Sequence, residues 1–174
     1  AYEIDPITLE TKGKCPGVQA SGGAISAHAK VDELTDELIF FDYGIEAPYM
    51  HYGVVGPDRK LKHFVPIELP GARLPHDMAI TEHYSILHDL PMLYDEDAFA
   101  LGRHKVKFDP ALPARLGVIP RYGAADSIRW FEFSPCFIYH VVNAWEEGDW
   151  VVMSGCRYMP ALDANGEIDA VRTA

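Results

Sequence analysis

The chain has 174 residues, 26 of them acidic against 15 basic, for a formal net charge of −11, and its longest basic cluster is Arg59-Lys60-Leu61-Lys62. Binding to nucleic acid rests on cationic neutralisation of phosphates, so no nucleic-acid partner is expected. With 48% hydrophobic and 24% charged residues, the composition fits one folded domain with a sizeable core and excludes a disordered or fibrous chain.

Unbroken apolar runs such as Leu38-Ile39-Phe40-Phe41 are too short to span a bilayer, and no signal peptide is visible. Three cysteines, Cys15, Cys136 and Cys156, form an odd set without CxxC spacing. That argues against a disulfide framework or a cysteine zinc site and makes a reducing, cytoplasmic setting the default. The chain opens on the strand-and-turn pattern of Tyr2 to Pro6 and stops just after the turn Asp163-Ala164-Asn165-Gly166. The expectation is a single partial domain over residues 1–174, cut at both ends.

In chain order, the runs Ser26 to Val31 and Glu37 to Tyr43 predict a hairpin across Asp32 to Asp36, with His28 on its first strand. Pro48 to Val55 and Lys60 to Leu69 flank Gly56-Pro57-Asp58-Arg59, whose Gly and Pro suit a turn, and predict a second. Pro75 to Thr81 and Tyr84 to Leu90 predict a third across Glu82-His83, with His76 at its start. The stretch Met92 to Pro113, with Asp95-Glu96-Asp97 and two prolines, reads as a long loop holding one helical turn. Arg115 to Pro120 and Ser127 to Phe133 predict a fourth strand pair. The fifth joins the run Cys136 to Trp145, carrying His140, to Trp150-Val151-Val152-Met153 across Glu146-Glu147-Gly148-Asp149. No stretch of helical length shows a 3.6-residue period. The chain therefore reads as nearly all β, in serial antiparallel hairpins that suit a sandwich, a barrel or propeller blades.

A lone histidine in a strand such as His140 is more often a core residue bonded to backbone than a ligand. Here His28, His76 and His140 fall on three different hairpins, as they would if successive blades each sent one ligand to a common axis. Neutral imidazole suits Fe, Zn and Cu. The remaining histidines, His51, His63, His83, His88 and His104, read as surface or edge residues without a metal role. Asp77 should point to the face opposite His76 in an extended strand, so Asp77 and Glu82 read as structural. Glu146 and Glu147 read as a solvated turn. Among Phe131, Phe133, Phe137, Tyr139 and Trp145, core packing is the expected role for most, with some available as walls of a substrate tunnel.

Three segments together resemble the carotenoid cleavage oxygenase family, which also holds retinoid isomerases and stilbene-cleaving dioxygenases. They are Ser26-Ala27-His28-Ala29-Lys30-Val31-Asp32, His76-Asp77-Met78-Ala79-Ile80-Thr81-Glu82 and Tyr139-His140-Val141-Val142-Asn143-Ala144-Trp145-Glu146-Glu147. The likeness extends to Ile4 to Thr11 and to Ile128-Arg129-Trp130-Phe131-Glu132. It implies an all-β fold, several consecutive central blades of a seven-bladed β-propeller. It also implies Fe(II) on the propeller axis, with His28, His76 and His140 as three of four histidine ligands. The fourth ligand and the family's supporting glutamates have no match in residues 1–174, and Ala29 stands where the family usually has proline. The implied activity is cleavage of a conjugated C=C bond of a carotenoid or apocarotenoid by O2 into carbonyl products. A stilbene-type substrate is the alternative within the family, and a non-catalytic propeller interaction module is the alternative outside it. The implied partners are a lipophilic conjugated substrate and O2, with peripheral membrane contact through parts outside this segment.

Overall fold

A computed structural model describes residues 1–103 and 105–169. The chain begins with a short hairpin, β1 (Tyr2–Ile4) and β2 (Thr11–Lys14), and one helical turn, α1 (Pro16–Ala20). The strands β3 (Lys30–Asp32), β4 (Glu37–Tyr43), β5 (Tyr49–Val55) and β6 (Leu61–Glu68) then form a four-stranded antiparallel meander in chain order. A second four-stranded sheet contains β7 (Ala79–Ile80) and β8 (Tyr84–Asp89). The chain next leaves that sheet through β9 (Met92–Tyr94), α2 (Glu96–Ala100) and β10 (Val106–Phe108), and returns as β11 (Ala114–Pro120) and β12 (Arg129–Phe133). The spatial order of this sheet is β12-β11-β8-β7. Last comes the long hairpin β13 (Phe137–Glu147) and β14 (Trp150–Tyr158). Among the described residues no helix is long and apolar enough to cross a membrane.

The layers follow from strand alternation. On β4, Ile39 and Phe41 face one way and join Met50, Tyr52, Val54, Ile67, Met78, Leu87 and Ile119 in a cluster between the two four-stranded sheets. Phe40 faces the other way and meets Val18 of α1 and Val55. Both faces of the strand are thus covered, which is why Leu38 to Phe41 is an unbroken apolar run instead of an alternating one. A further cluster, Leu90, Met92, Phe108, Ala114, Cys136, Phe137 and Ile138, lies between the second sheet and the last hairpin. Full burial of each large apolar side chain stabilises by about 1.5–3 kcal/mol. Tyr52 ties the first two sheets by polar contact as well: its hydroxyl lies 2.9 Å from Ser85 Oγ and donates to the Arg121 carbonyl at 3.0 Å. Burial pushes that phenol up to about 12.

Three of the five expected hairpins match closely, and the first strands of the other two are shorter than expected, β3 starting at Lys30 and β7 covering only Ala79–Ile80. His28 lies in a turn two residues ahead of β3, and His76 lies three residues ahead of β7 in a stretch without regular structure, so neither is within a ladder. The Met92 to Pro113 stretch does contain its helical turn, but the turn is flanked by the paired strands β9 and β10. Their three residues each are too few to show a period. The single turn α1, five residues long, is likewise too short to show a helical period.

Candidate metal centre

Three irregular pieces of backbone carry the three histidines. The turn at His28 is anchored to β4, because the Ser26 N–H donates to the Phe41 carbonyl at 2.8 Å and the His28 N–H donates to Ser26 Oγ at 3.2 Å. His140 sits in β13, where the register with β14 slips between Ile138 and Val141 and again between Val141 and Asn143. Ile138 pairs with Arg157 and Val141 with Gly155, so Tyr139 and His140 share the single opposing residue Cys156. Such a bulge bends its strand and re-aims a side chain. The second consequence is visible here: the Tyr139 ring meets the His76 ring edge-on at 5.3 Å, and the His140 ring stands 5.0 Å from His28 and 5.2 Å from His76, centroid to centroid.

The three imidazoles converge. One ligating nitrogen from each of His28, His76 and His140 falls within 4.8 Å of the other two, and His28 Nε2 lies 3.1 Å from His76 Nε2. Two nitrogens bound side by side to one ion at about 2.1 Å would be roughly 3.0–3.4 Å apart. Without an ion the same contact is an N–H···N bond between a donor and an acceptor tautomer; with one, both lone pairs face it. Among the described residues no carboxylate belongs to the cluster. Burial, with His28 and His140 close by, lowers the pKa of His76, which favours the neutral form that a metal needs. The donor set fits a divalent transition metal.

Asp77 lies beneath the cluster and is buried. Its Oδ1 accepts from Lys30 Nζ and from the Met78 N–H, both at 2.7 Å, and its Oδ2 accepts from the Val141 N–H at 2.8 Å. Burial on its own would raise this carboxyl, but the Lys30 ammonium and the Val141 and Met78 N–H groups together hold it below the usual carboxylate range. The expectation that Asp77 acts structurally agrees with these partners, although it lies ahead of β7 and not within a strand. Tyr139 is backed by Tyr158, whose ring stacks on it at 5.5 Å with 6° between planes.

Several other expectations need correction. His88 is fully buried on β8, not a surface or edge residue, and neither ring nitrogen has a partner among the described residues; burial pushes its pKa down to about 4. An interior imidazole on a strand leaves no pattern that separates it from a surface one. Glu146 is not a solvated turn residue: it accepts from Thr81 and His83 across two hairpins. Of the aromatic set, Phe137 is buried and Phe133 packs beside it, while Phe131, Tyr139 and Trp145 are exposed. His51 pairs with Asp42 at 2.9 Å, His63 reaches the Gly123 carbonyl at 3.0 Å, and neither joins the cluster. His104 lies outside the described residues.

Known proteins share this chain's sequence and fold. The family model described as retinal pigment epithelial membrane protein matches residues 1–173. A carotenoid 9,10(9',10')-cleavage dioxygenase of Crocus sativus is 43% identical over 92% of this chain, and an isoeugenol monooxygenase of Pseudomonas nitroreducens is 35% identical over 84% of it. The chain spans 30% and 32% of those two proteins. The crystal structure of a lignostilbene dioxygenase of Pseudomonas brassicacearum superposes with a TM-score of 0.76 at 32% identity, covering 87% of this chain and 33% of that one. The stacked antiparallel sheets are therefore consecutive propeller blades, and the chain belongs to the retinal pigment epithelial membrane protein family, that of the carotenoid cleavage oxygenases.

Proposed function

We propose that His28, His76 and His140 hold Fe(II), and that the complete protein is a dioxygenase that cleaves a conjugated C=C bond of a carotenoid or apocarotenoid into two carbonyl products. The observation that carries this is the convergence of three imidazoles from three separate blades, with no carboxylate among them. The 43% identity to a carotenoid cleavage dioxygenase supports the substrate class. Bound Fe(II) supplies the O2 chemistry that side chains lack.

What this chain contributes is position and environment. His76, with its lowered pKa, offers a lone pair at neutral pH, and an all-imidazole set adds no negative charge to the ion. Tyr139, half exposed beside His76, gives the site an aromatic wall suited to a lipophilic polyene. The 32% identity to a lignostilbene dioxygenase favours a stilbene as the second substrate reading.

The test uses the complete protein, reconstituted anaerobically with Fe(II) and then given O2 with a carotenoid, an apocarotenal or a stilbene. Stoichiometric iron and two carbonyl products from a carotenoid are expected. Cleavage of the stilbene alone would move the substrate to the second reading, and failure to bind iron would leave an interaction module instead of an enzyme.

A further inference from the structure

The three histidines sit on a turn, a lead-in and a bulge, so ladder hydrogen bonds do not by themselves define how the imidazoles stand to one another. Asp77 touches all three pieces. It is the neighbour of His76, its Oδ1 accepts from Lys30, two residues beyond His28, and its Oδ2 accepts from the N–H of Val141, next to His140. The His28 Nδ1 also lies 3.8 Å from Oδ1. An ionised carboxylate can do this because both of its oxygens accept and neither donates. Burying it is costly unless each oxygen is satisfied by charge or N–H, and here both are.

We propose that Asp77 is a positioning residue that sets the mutual geometry of the three imidazoles by joining the His28, His76 and His140 segments through one buried carboxylate. This rests on the metal-centre reading above. An amide at this position has the same shape but must turn an NH2 toward either Lys30 Nζ or the Val141 N–H, setting donor against donor. One of the two ties then fails while the packing is kept.

The experiment titrates Co(II) into the complete apo-protein under argon and follows both the dissociation constant and the visible Co(II) band, which reports coordination geometry. Asp77→Asn should weaken the metal by about 10–100-fold, as loss of a supporting carboxylate does, and should alter the band. Lys30→Met removes one tie only and should weaken it less. The double variant should fall short of the two effects added, because both act through one carboxylate. Metal affinity of Asp77→Asn within about threefold of the unmodified protein, a margin near the error of additivity, overturns the proposal. If Asp77→Asn does not fold, Lys30→Met decides: unchanged affinity and band overturn it. His140→Ala separates the two levels. If its affinity is also unchanged, the metal centre itself is wrong and the inference falls with it; if it is lost while Asp77→Asn binds normally, only the role of Asp77 is wrong.

Discussion

Thr81 Oγ1 donates to Glu146 Oε1 at 2.6 Å, across 65 residues of chain. The His83 N–H donates to the same oxygen at 2.8 Å, and His83 Nδ1 lies 2.9 Å from Oε2. The strand that carries His140 is thereby clasped to the turn that follows His76. Glu146 raises the pKa of His83 by hydrogen bond and by charge.

Glu146→Ala should destabilise the complete protein by about 1 kcal/mol, since it removes the bond from the part-buried Thr81 hydroxyl, which keeps Tyr84 as its other partner. A pH series distinguishes the ionic part. The folded pKa of His83 lies above its unfolded value, so its contribution is fully present below about pH 6.5 and is lost as pH rises through the folded value. The melting-temperature gap between the unmodified protein and Glu146→Gln should therefore narrow on going from pH 6 to pH 9. A gap that widens would contradict the clasp.

His140→Ala should remove iron and end cleavage while the far-ultraviolet circular dichroism stays close to that of the unmodified protein. The exposed ring leaves little packing behind, and Phe137 and Ile138 remain in the core. His63→Gln, outside the cluster, should keep its iron. Turnover by His140→Ala near the unmodified rate would be incompatible with the proposed centre.

His88 is buried with no partner for either nitrogen among the described residues, and burial pushes its pKa down to about 4. Its folded value is depressed below the unfolded one, so the unfolded chain takes up a proton first as pH falls. Stability is then lost between about pH 6.5 and pH 4, on the order of 3 kcal/mol in full. His88→Leu should be at least as stable at pH 7, and its advantage should grow on acidification. Parallel melting curves for the two proteins from pH 7 to pH 5 would rule this out.

Gly117 faces Trp130 across the β11–β12 ladder, and a Cβ there would stand 2.6 Å from Ile128 Cδ1 and 2.8 Å from Trp130 Cζ3. Gly117→Ala should cost about 1–3 kcal/mol through overpacking, read from the midpoint of urea unfolding. A midpoint equal to that of the unmodified protein would mean that the Trp130 ring yields freely.

Local chemistry made the hairpins legible. Gly56-Pro57-Asp58-Arg59 marks a turn, the β-branched and aromatic residues around it mark strands, and both appear where expected as β5 and β6. The three histidines stood out because each lies within a motif whose order along the chain is itself informative. The sequence did not reveal that two of them sit outside the ladders, that a double bulge aims His140, or that His88 is interior. Nor did it reveal that Asp77 and Glu146 each bond to partners more than 60 residues away. Periodicity reports which face of one strand is apolar. Which sheet that face meets, and which donor a carboxylate then finds there, is decided only when the blades stack, because those contacts join segments that have no local interaction with each other.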